Sequence, residues 1–240
     1  MTAVMAPRRH GAHYWQMANV PVGAWIAPGV VRGFSTAPPN QTLLDYATRL
    51  EARCAPLRVL DIGCGAGRNA VPLACAGARV IGTDLSWPML IAAAARDTHG
   101  RLHLAHAPMD ALPIRDRAFD LIVAHGIWNL AGSAIEFRRA VREAARAAAP
   151  GARLFVFTFS RHTLTPDAAP LAGETFVYTQ FSGQPQVFLT EAQLLAELRD
   201  AGFEPDPDLP MREHNRPRGQ MRMDGGPVIY EGGFLFAGGE

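Results

Sequence analysis

This sequence predicts a doubly wound α/β fold, and three observations predict it. Short, continuous apolar runs recur at residues 58–63, 79–84, 102–106, 119–126 and 152–160. Helix-like segments alternate with them. The loop after the first run is nearly bare of side chains, reading Gly63-x-Gly65-x-Gly67. Strands that are apolar on both faces belong to a parallel sheet covered by helices. A glycine-rich loop at the C-terminal end of the first strand is where such sheets take their ligands.

The elements follow in order. Residues 1–40 carry Gly, Pro and aromatic residues without a sustained period, and read as an irregular N-terminal cap segment that includes Trp15 and Trp25. A helix is expected over 40–53, with Asn40 as N-cap and Leu43, Leu44, Ala47 and Leu50 on one face. The strand 58–63 leads through the glycines into a helix over 67–76. The strand 79–84 is followed by a helix over 86–97 that starts at Ser86, and the strand 102–106 stands third. The strand 119–126 precedes an Ala- and Arg-rich helix over 133–148, which stops at Pro150-Gly151. After the strand 152–160 the pattern loosens into an insertion at about 161–190, in which 174–181 is a short strand or part of a lid. Thr190 and Gln193 form a capping box for a helix over 191–201 that ends at Gly202. PVIYEGGFLFAG closes the chain as a strand. One domain over 41–240, with the cap segment before it, accounts for the 240 residues.

Composition excludes several functions. Hydrophobic residues make up 48% of the chain and charged residues 19%, enough for a sizeable core, and no apolar run reaches membrane-spanning length. The first residues lack the apolar segment of a secretory signal, so a soluble, cytoplasmic protein is expected. The net charge is +1 with acids and arginines interleaved, which argues against a nucleic-acid partner and for a small molecule. The three cysteines, Cys54, Cys64 and Cys75, form no CxxC pair and read as small buried apolar side chains. His99, His103 and His106 straddle a strand, where alternation sends neighbours to opposite faces, so no metal site is expected. There is no lysine in the chain, which removes Schiff-base chemistry and the P-loop.

The glycine loop alone suits two cofactors. A dinucleotide fingerprint is G-x-G-x-x-G, and here the third glycine comes one residue early. An acid, Asp61, also stands two residues before the first glycine. The pattern D-x-G-x-G-x-G in VLDIGCGAGRNA (59–70) resembles motif I of the class I, Rossmann-like S-adenosylmethionine-dependent methyltransferases. Two further stretches are similar to that family in order and spacing. Asp84 ends the second strand, 23 residues beyond Asp61, and MDALPIRDRAFDLIVAHG (109–126) looks like the segment that closes the adenine pocket. The resemblance covers about residues 55–160. It implies a mostly parallel sheet with an antiparallel last strand, and S-adenosylmethionine as cofactor. It implies that Gly63 and Gly65 pass beneath the methionine half, with Gly67 completing the cofactor loop, and that Asp61 orients the loop and reaches the cofactor's amino group, directly or through water. Asp84 would hold the ribose, since an ionised carboxylate offers two acceptor oxygens, with Leu85 against the adenine and Met109 and Asp110 at its edge. The family often has an acid five residues before the LP proline. Here that position is Pro108, and Asp110 is the expected substitute.

The residues that follow the fourth strand face the reacting methyl in this family. His125, Trp128 and Asn129 are therefore the catalytic candidates, with His125 near the methionine moiety as well. Arg161 and His162, and then Tyr178, Glu213, His214 and Tyr230, are secondary candidates for a base. Trp15 and Trp25 either pack the N-terminal segment onto the domain or fold over the site as a lid. The N-P-P-Y/F signature of nucleic-acid amino methylation is absent, which favours a small-molecule acceptor. Methyl transfer to that acceptor is the expected reaction. The alternatives are attack at the aminobutyryl carbon, giving azetidine-2-carboxylate and methylthioadenosine, and a non-catalytic cofactor-binding module.

Overall fold

The computed structural model describes residues 24–53, 55–216 and 226–238. Trp15 and Cys54 lie outside them. A 3₁₀ turn at Ala24–Ile26 leads into helix α1 (Pro28–Thr36), where the sequence suggested irregular chain. Pro28 starts this helix because its fixed φ and missing N–H cost nothing in the first turn. Helix α2 (Gln41–Glu51) is capped as expected, the Asn40 side chain accepting from the Leu43 N–H, with Leu43, Tyr46, Ala47 and Leu50 buried. Strand β1 (Arg58–Ile62) and helix α3 (Ala70–Ala76) flank the glycine loop. Strand β2 (Arg79–Asp84), helix α4 (Trp87–Ala94), strand β3 (Leu102–His106) and strand β4 (Phe119–His125) follow.

Helix α5 (Ala134–Ala147) is held by Ser133 at its N-cap. It stops earlier than Pro150-Gly151 suggested. Ala148 already pairs with Phe119, so strand β5 (Ala148–Phe159) takes in the Pro-Gly pair beside an irregularity in the ladder. The insertion holds a two-stranded ribbon, β6 (Val177–Tyr178) with β7 (Gln186–Val187), shorter than 174–181 suggested. Helix α6 (Glu191–Asp200) has the Thr190–Gln193 capping box. Two short strands that the sequence did not reveal, β8 (Phe203–Pro205) and β9 (Arg212–His214), precede β10 (Ile229–Phe236).

The main sheet runs β3-β2-β1-β4-β5-β10-β8, with β9 also on β10. The first five of these strands are parallel, and β10 is antiparallel to β5. Right-handed crossovers place α3 and α4 on one face, and the reversal of direction at β1/β4 puts α5 on the other, against α6. The C-terminal ends of β1 and β4 therefore part at the reversal point and open a crevice. No helix among the described residues is long and apolar enough to cross a membrane.

Candidate active site

The crevice is a cavity of about 430 Å3. Its floor is the glycine loop, where each glycine has a different task. Gly63 has φ +69°, and a Cβ there would lie 2.5 Å from Ile127 Cγ1. The loop thus packs directly under the β4 wall. Gly65 has φ +53° and open space where a side chain would be, its nearest neighbour being Phe34 at 3.7 Å. Gly67 has φ +74°, but its Cβ position is 2.7 Å from Val71 Cγ2 and 3.1 Å from Ala93 Cβ. It lets α3 approach α4 and does not line the cavity, which corrects its expected place at the cofactor.

Asp61 lies beneath the loop, buried, where the Ala70 N–H supports it. Burial, with the nearby Asp84 charge, pushes its pKa up to about 7. It supports the loop from below and is not part of the cavity wall. Asp84 is at the lip. One of its oxygens accepts from the Gly65 N–H at 2.8 Å and the other from the Ser86 N–H at 2.7 Å. Burial raises its pKa against those two bonds. Leu85 projects beside it, 62% exposed, into the cavity. His106 fixes this tip through a 2.8 Å bond between its Nε2 and the Leu85 carbonyl.

The far end of the cavity is formed by residues 107–109 and Met89, and is apolar. Met109 is there, as expected. Asp110 is not: its carboxylate turns to Arg139 of α5 at 3.7 Å and leaves the wall. The roof comes from the N-terminal segment. Trp25, Ile26 and Phe34 cover the cavity, the Trp25 and Phe34 rings meeting edge-on at 5.5 Å. Ser86 Oγ donates to the Trp25 carbonyl at 2.9 Å and ties the roof to the Asp84 tip.

On the β4 side the structure separates the three catalytic candidates. Trp128 is fully buried against Phe137 and does not reach the cavity, because the 3₁₀ turn Trp128–Leu130 points it into the core. His125 and Asn129 do line the cavity. Asn129 is 2% exposed, and its Oδ1 has no hydrogen-bond partner among the described residues. His125 stacks on Phe157 at 4.2 Å, and its Nε2 is 3.2 Å from Asn40 Nδ2. Asn40 Oδ1 is taken by the Leu43 N–H, so the amide orientation is settled and Nδ2 is the donor. His125 Nε2 is then the acceptor and Nδ1 carries the proton. The same Nδ2 donates to Glu231 Oε1 at 2.6 Å, and Asn69 Oδ1 accepts the Asn40 N–H at 2.9 Å. The cap of α2 thus also orients the histidine, a link that no local pattern in the sequence carries.

The secondary candidates fall into three groups. Arg161 is a structural clamp, with its guanidinium over the Tyr178 ring and bonded to the Thr165 and Ala168 carbonyls. His214 sits 3.5 Å from Glu231. His162 and Glu213 form a real cluster with Ser160, which sequence reading missed. Glu213 Oε1 accepts from Ser160 Oγ at 2.5 Å and from His162 Nδ1 at 2.6 Å. Burial pushes the Glu213 pKa up, but these bonds and the Arg216 charge outweigh it and leave it below the usual carboxylate range. Tyr230 is buried beside them, its pKa raised by burial.

A cavity at a sheet reversal, with a glycine floor and an acid at the second strand tip, defines a nucleotide-type cofactor site of the Rossmann class. Comparison with known proteins gives the family. A methyltransferase-domain family model matches residues 60–156. A 27-O-demethylrifamycin SV methyltransferase from Amycolatopsis mediterranei is 30% identical over 197 residues, covering 74% of this chain and 68% of that one. A demethylmenaquinone methyltransferase from Thermus thermophilus is 38% identical over 119 residues, covering 47% of this chain and 52% of that one. The chain spans about half the length of the first curated relatives it matches. Among solved structures, 1,6-didemethyltoxoflavin-N1-methyltransferase from Burkholderia thailandensis, with bound S-adenosylhomocysteine, superposes with a TM-score of 0.65 at 20% identity, over 98% of this chain and 94% of that one. The [4+2]-cyclase SpnF gives a TM-score of 0.65 at 18% identity, over 99% and 100%. The chain belongs to the S-adenosylmethionine-dependent methyltransferases, and S-adenosylmethionine is its cofactor.

Proposed function

We propose that this chain transfers the methyl group of S-adenosylmethionine to a small-molecule acceptor by in-line displacement at the sulfonium methyl. The observation that carries the reading is the pair of Asp84 contacts at the cavity lip. Each carboxylate oxygen is fixed by one backbone N–H and keeps acceptor capacity for a ribose hydroxyl. With the ribose at β2, the flat base has the apolar end at Leu85, Met89 and Met109, and the polar amino-acid half has the open floor at Gly65. The residues fit such a ligand in two further respects. Gly65 leaves free the volume a Cβ would fill, and the buried Asn129 Oδ1 awaits a donor.

S-adenosylmethionine supplies an electrophilic methyl group on sulfur. Everything else falls to the chain's own side chains, and their contribution is position more than proton transfer. Trp25, Ile26 and Phe34 exclude water from above. His125 stands in the cavity wall with its ring held by Asn40 and stacked on Phe157, so it contributes a fixed surface beside the ligand. Asn129 accepts.

Mass spectrometry of the adenosyl products tests this. The protein is incubated with S-adenosylmethionine, alone and with a small-metabolite extract. S-adenosylhomocysteine formed only with extract, together with a partner heavier by one methylene, is the expected result. Methylthioadenosine formed from S-adenosylmethionine alone would place the attack on the aminobutyryl carbon and overturn the proposal. Tight cofactor binding without either product from any acceptor pool would leave a binding module in its place.

A further inference from the structure

Helix α5 carries a stripe of charged side chains that tracks the segment between β3 and β4 turn by turn. Arg146 bonds the Leu112 and Ile114 carbonyls at 3.0 and 2.8 Å and Asp116 at 2.6 Å. Glu143 accepts the Leu112 N–H at 2.8 Å. Arg139 takes Asp110 at 3.7 Å. Each step of three or four residues back along the helix reaches about two residues back along the segment, as neighbours on one helical face must. The next step on this face is Glu136, and extending the register by one step points it toward Pro108. Glu136 is part of the cavity wall, as are residues 107–109. Its Oε2 accepts the Gly132 N–H at 2.7 Å, and Ser133 Oγ caps its own N–H at 3.1 Å, so the side chain starts from a fixed turn. Its Oε1 has no hydrogen-bond partner among the described residues.

A purine base in this end of the cavity meets Leu85, Met89 and Met109, which satisfy its faces. Their side chains offer no acceptor to its exocyclic amine, and a buried N–H without an acceptor carries a desolvation penalty. Pro108 has no acceptor side chain, and Asp110 faces Arg139 and does not line the cavity. We propose that the Glu136 carboxylate accepts a hydrogen bond from the 6-amino group of the cofactor's adenine and so selects for that base. A carbonyl at the same position, as on hypoxanthine or guanine, faces a carboxylate and is rejected by two acceptors in opposition. This assignment rests on the S-adenosylmethionine reading of the cavity.

A double-mutant cycle between protein and ligand tests it by calorimetry. The ligands are S-adenosylhomocysteine and its 6-deamino analogue, in which the purine carries hydrogen in place of the amine. The proteins are the natural chain, Glu136→Gln and Glu136→Ala. The natural chain is expected to bind the deamino analogue on the order of tenfold more weakly, the worth of a hydrogen bond to a charged group. Glu136→Ala is expected to bind both ligands alike, at the weaker level. Glu136→Gln keeps an acceptor for the Gly132 N–H and loses the charge, so its preference falls between the two. If Glu136 served only to cap α5, its replacement would weaken both ligands by the same factor and the preference for the amine would survive, which refutes the assignment alone. Failure of the natural chain to bind S-adenosylhomocysteine at all would instead refute the cofactor reading beneath it.

Discussion

Gly63 and Gly65 lie two residues apart in one loop, both at positive φ, and alanine at each should do different damage. Alanine in the left-handed region costs about 1–2 kcal/mol at either position. At Gly63 the new methyl would also sit 2.5 Å from Ile127 Cγ1, 2.6 Å from Cδ1 and 2.7 Å from Cβ. Rotating the Ile127 side chain can move the first two. It cannot move Cβ, so the β4 wall itself must shift, and overpacking of this kind adds about 1–3 kcal/mol. Gly63→Ala should therefore lose about 2–5 kcal/mol, a fall in Tm of roughly 4–20 °C for a domain of this size. At Gly65 the nearest atom is Phe34 Cδ1 at 3.7 Å, an ordinary contact, so only the backbone term remains and Tm should fall by roughly 2–8 °C. That methyl, however, stands between the floor and the roof of the cavity. Gly65→Ala should bind S-adenosylhomocysteine at least about tenfold more weakly, a loss of about 1.4 kcal/mol. Thermal unfolding of the free protein and calorimetric titration measure the two effects separately. Equal destabilisation by both variants, or unchanged ligand affinity in Gly65→Ala, would refute the division of labour.

Three other perturbations follow from the same geometry. Asp61 has a folded-state pKa of about 7 against an ordinary 3.8, so between those values the folded chain holds a proton that the unfolded chain has lost. Stability should accordingly decline as pH rises from about 4 to 7, and Asp61→Asn should flatten that slope in urea melts; an unchanged slope would mean that Asp61 ionises normally. Asn40→Ala removes the α2 cap and a donor shared by His125 and Glu231, and should cost about 2–4 kcal/mol in denaturant melts. A loss below about 1 kcal/mol would contradict a network role. Trp128→Ala empties a fully buried site and should cost about 3–5 kcal/mol. Trp128→Phe should keep the fold and the turnover, whereas loss of turnover in a stable Trp128→Phe protein would restore Trp128 to the reacting groups.

The fold was legible wherever a segment carried its own signal. Five apolar runs became five parallel strands, and Asn40 and Thr190 begin helices because capping is local chemistry between a side chain and the N–H three residues on. What escaped was set by pairing. Phe203–Pro205 and Arg212–His214 have no strand pattern, and exist as strands because β10 offers each an antiparallel edge. Pro150-Gly151 looked like a helix stop, but a ladder partner at Phe119 absorbs both residues into β5.

The site divides along the same line. Backbone requirements were readable: a positive φ demands glycine, and a carboxylate at the tip of β2 can meet the loop beside it. The directions of side chains were not, since they depend on register between elements distant in sequence. Trp128 and Asn129 are adjacent, yet one fills the core and the other lines the cavity, because consecutive residues of a tight turn point apart. Asp110 was the natural candidate for the adenine edge, but the α5 stripe places Arg139 against it and draws it away. That same stripe is the ground on which Glu136, and not Asp110, is proposed for the adenine amine. Ser133 caps α5 through the Glu136 N–H, and one oxygen of the Glu136 side chain accepts the Gly132 N–H. A carboxylate has two oxygens, so satisfying the local rule with one leaves the other for the ligand. The residue whose local role is already explained is thus the one whose second role the sequence hides.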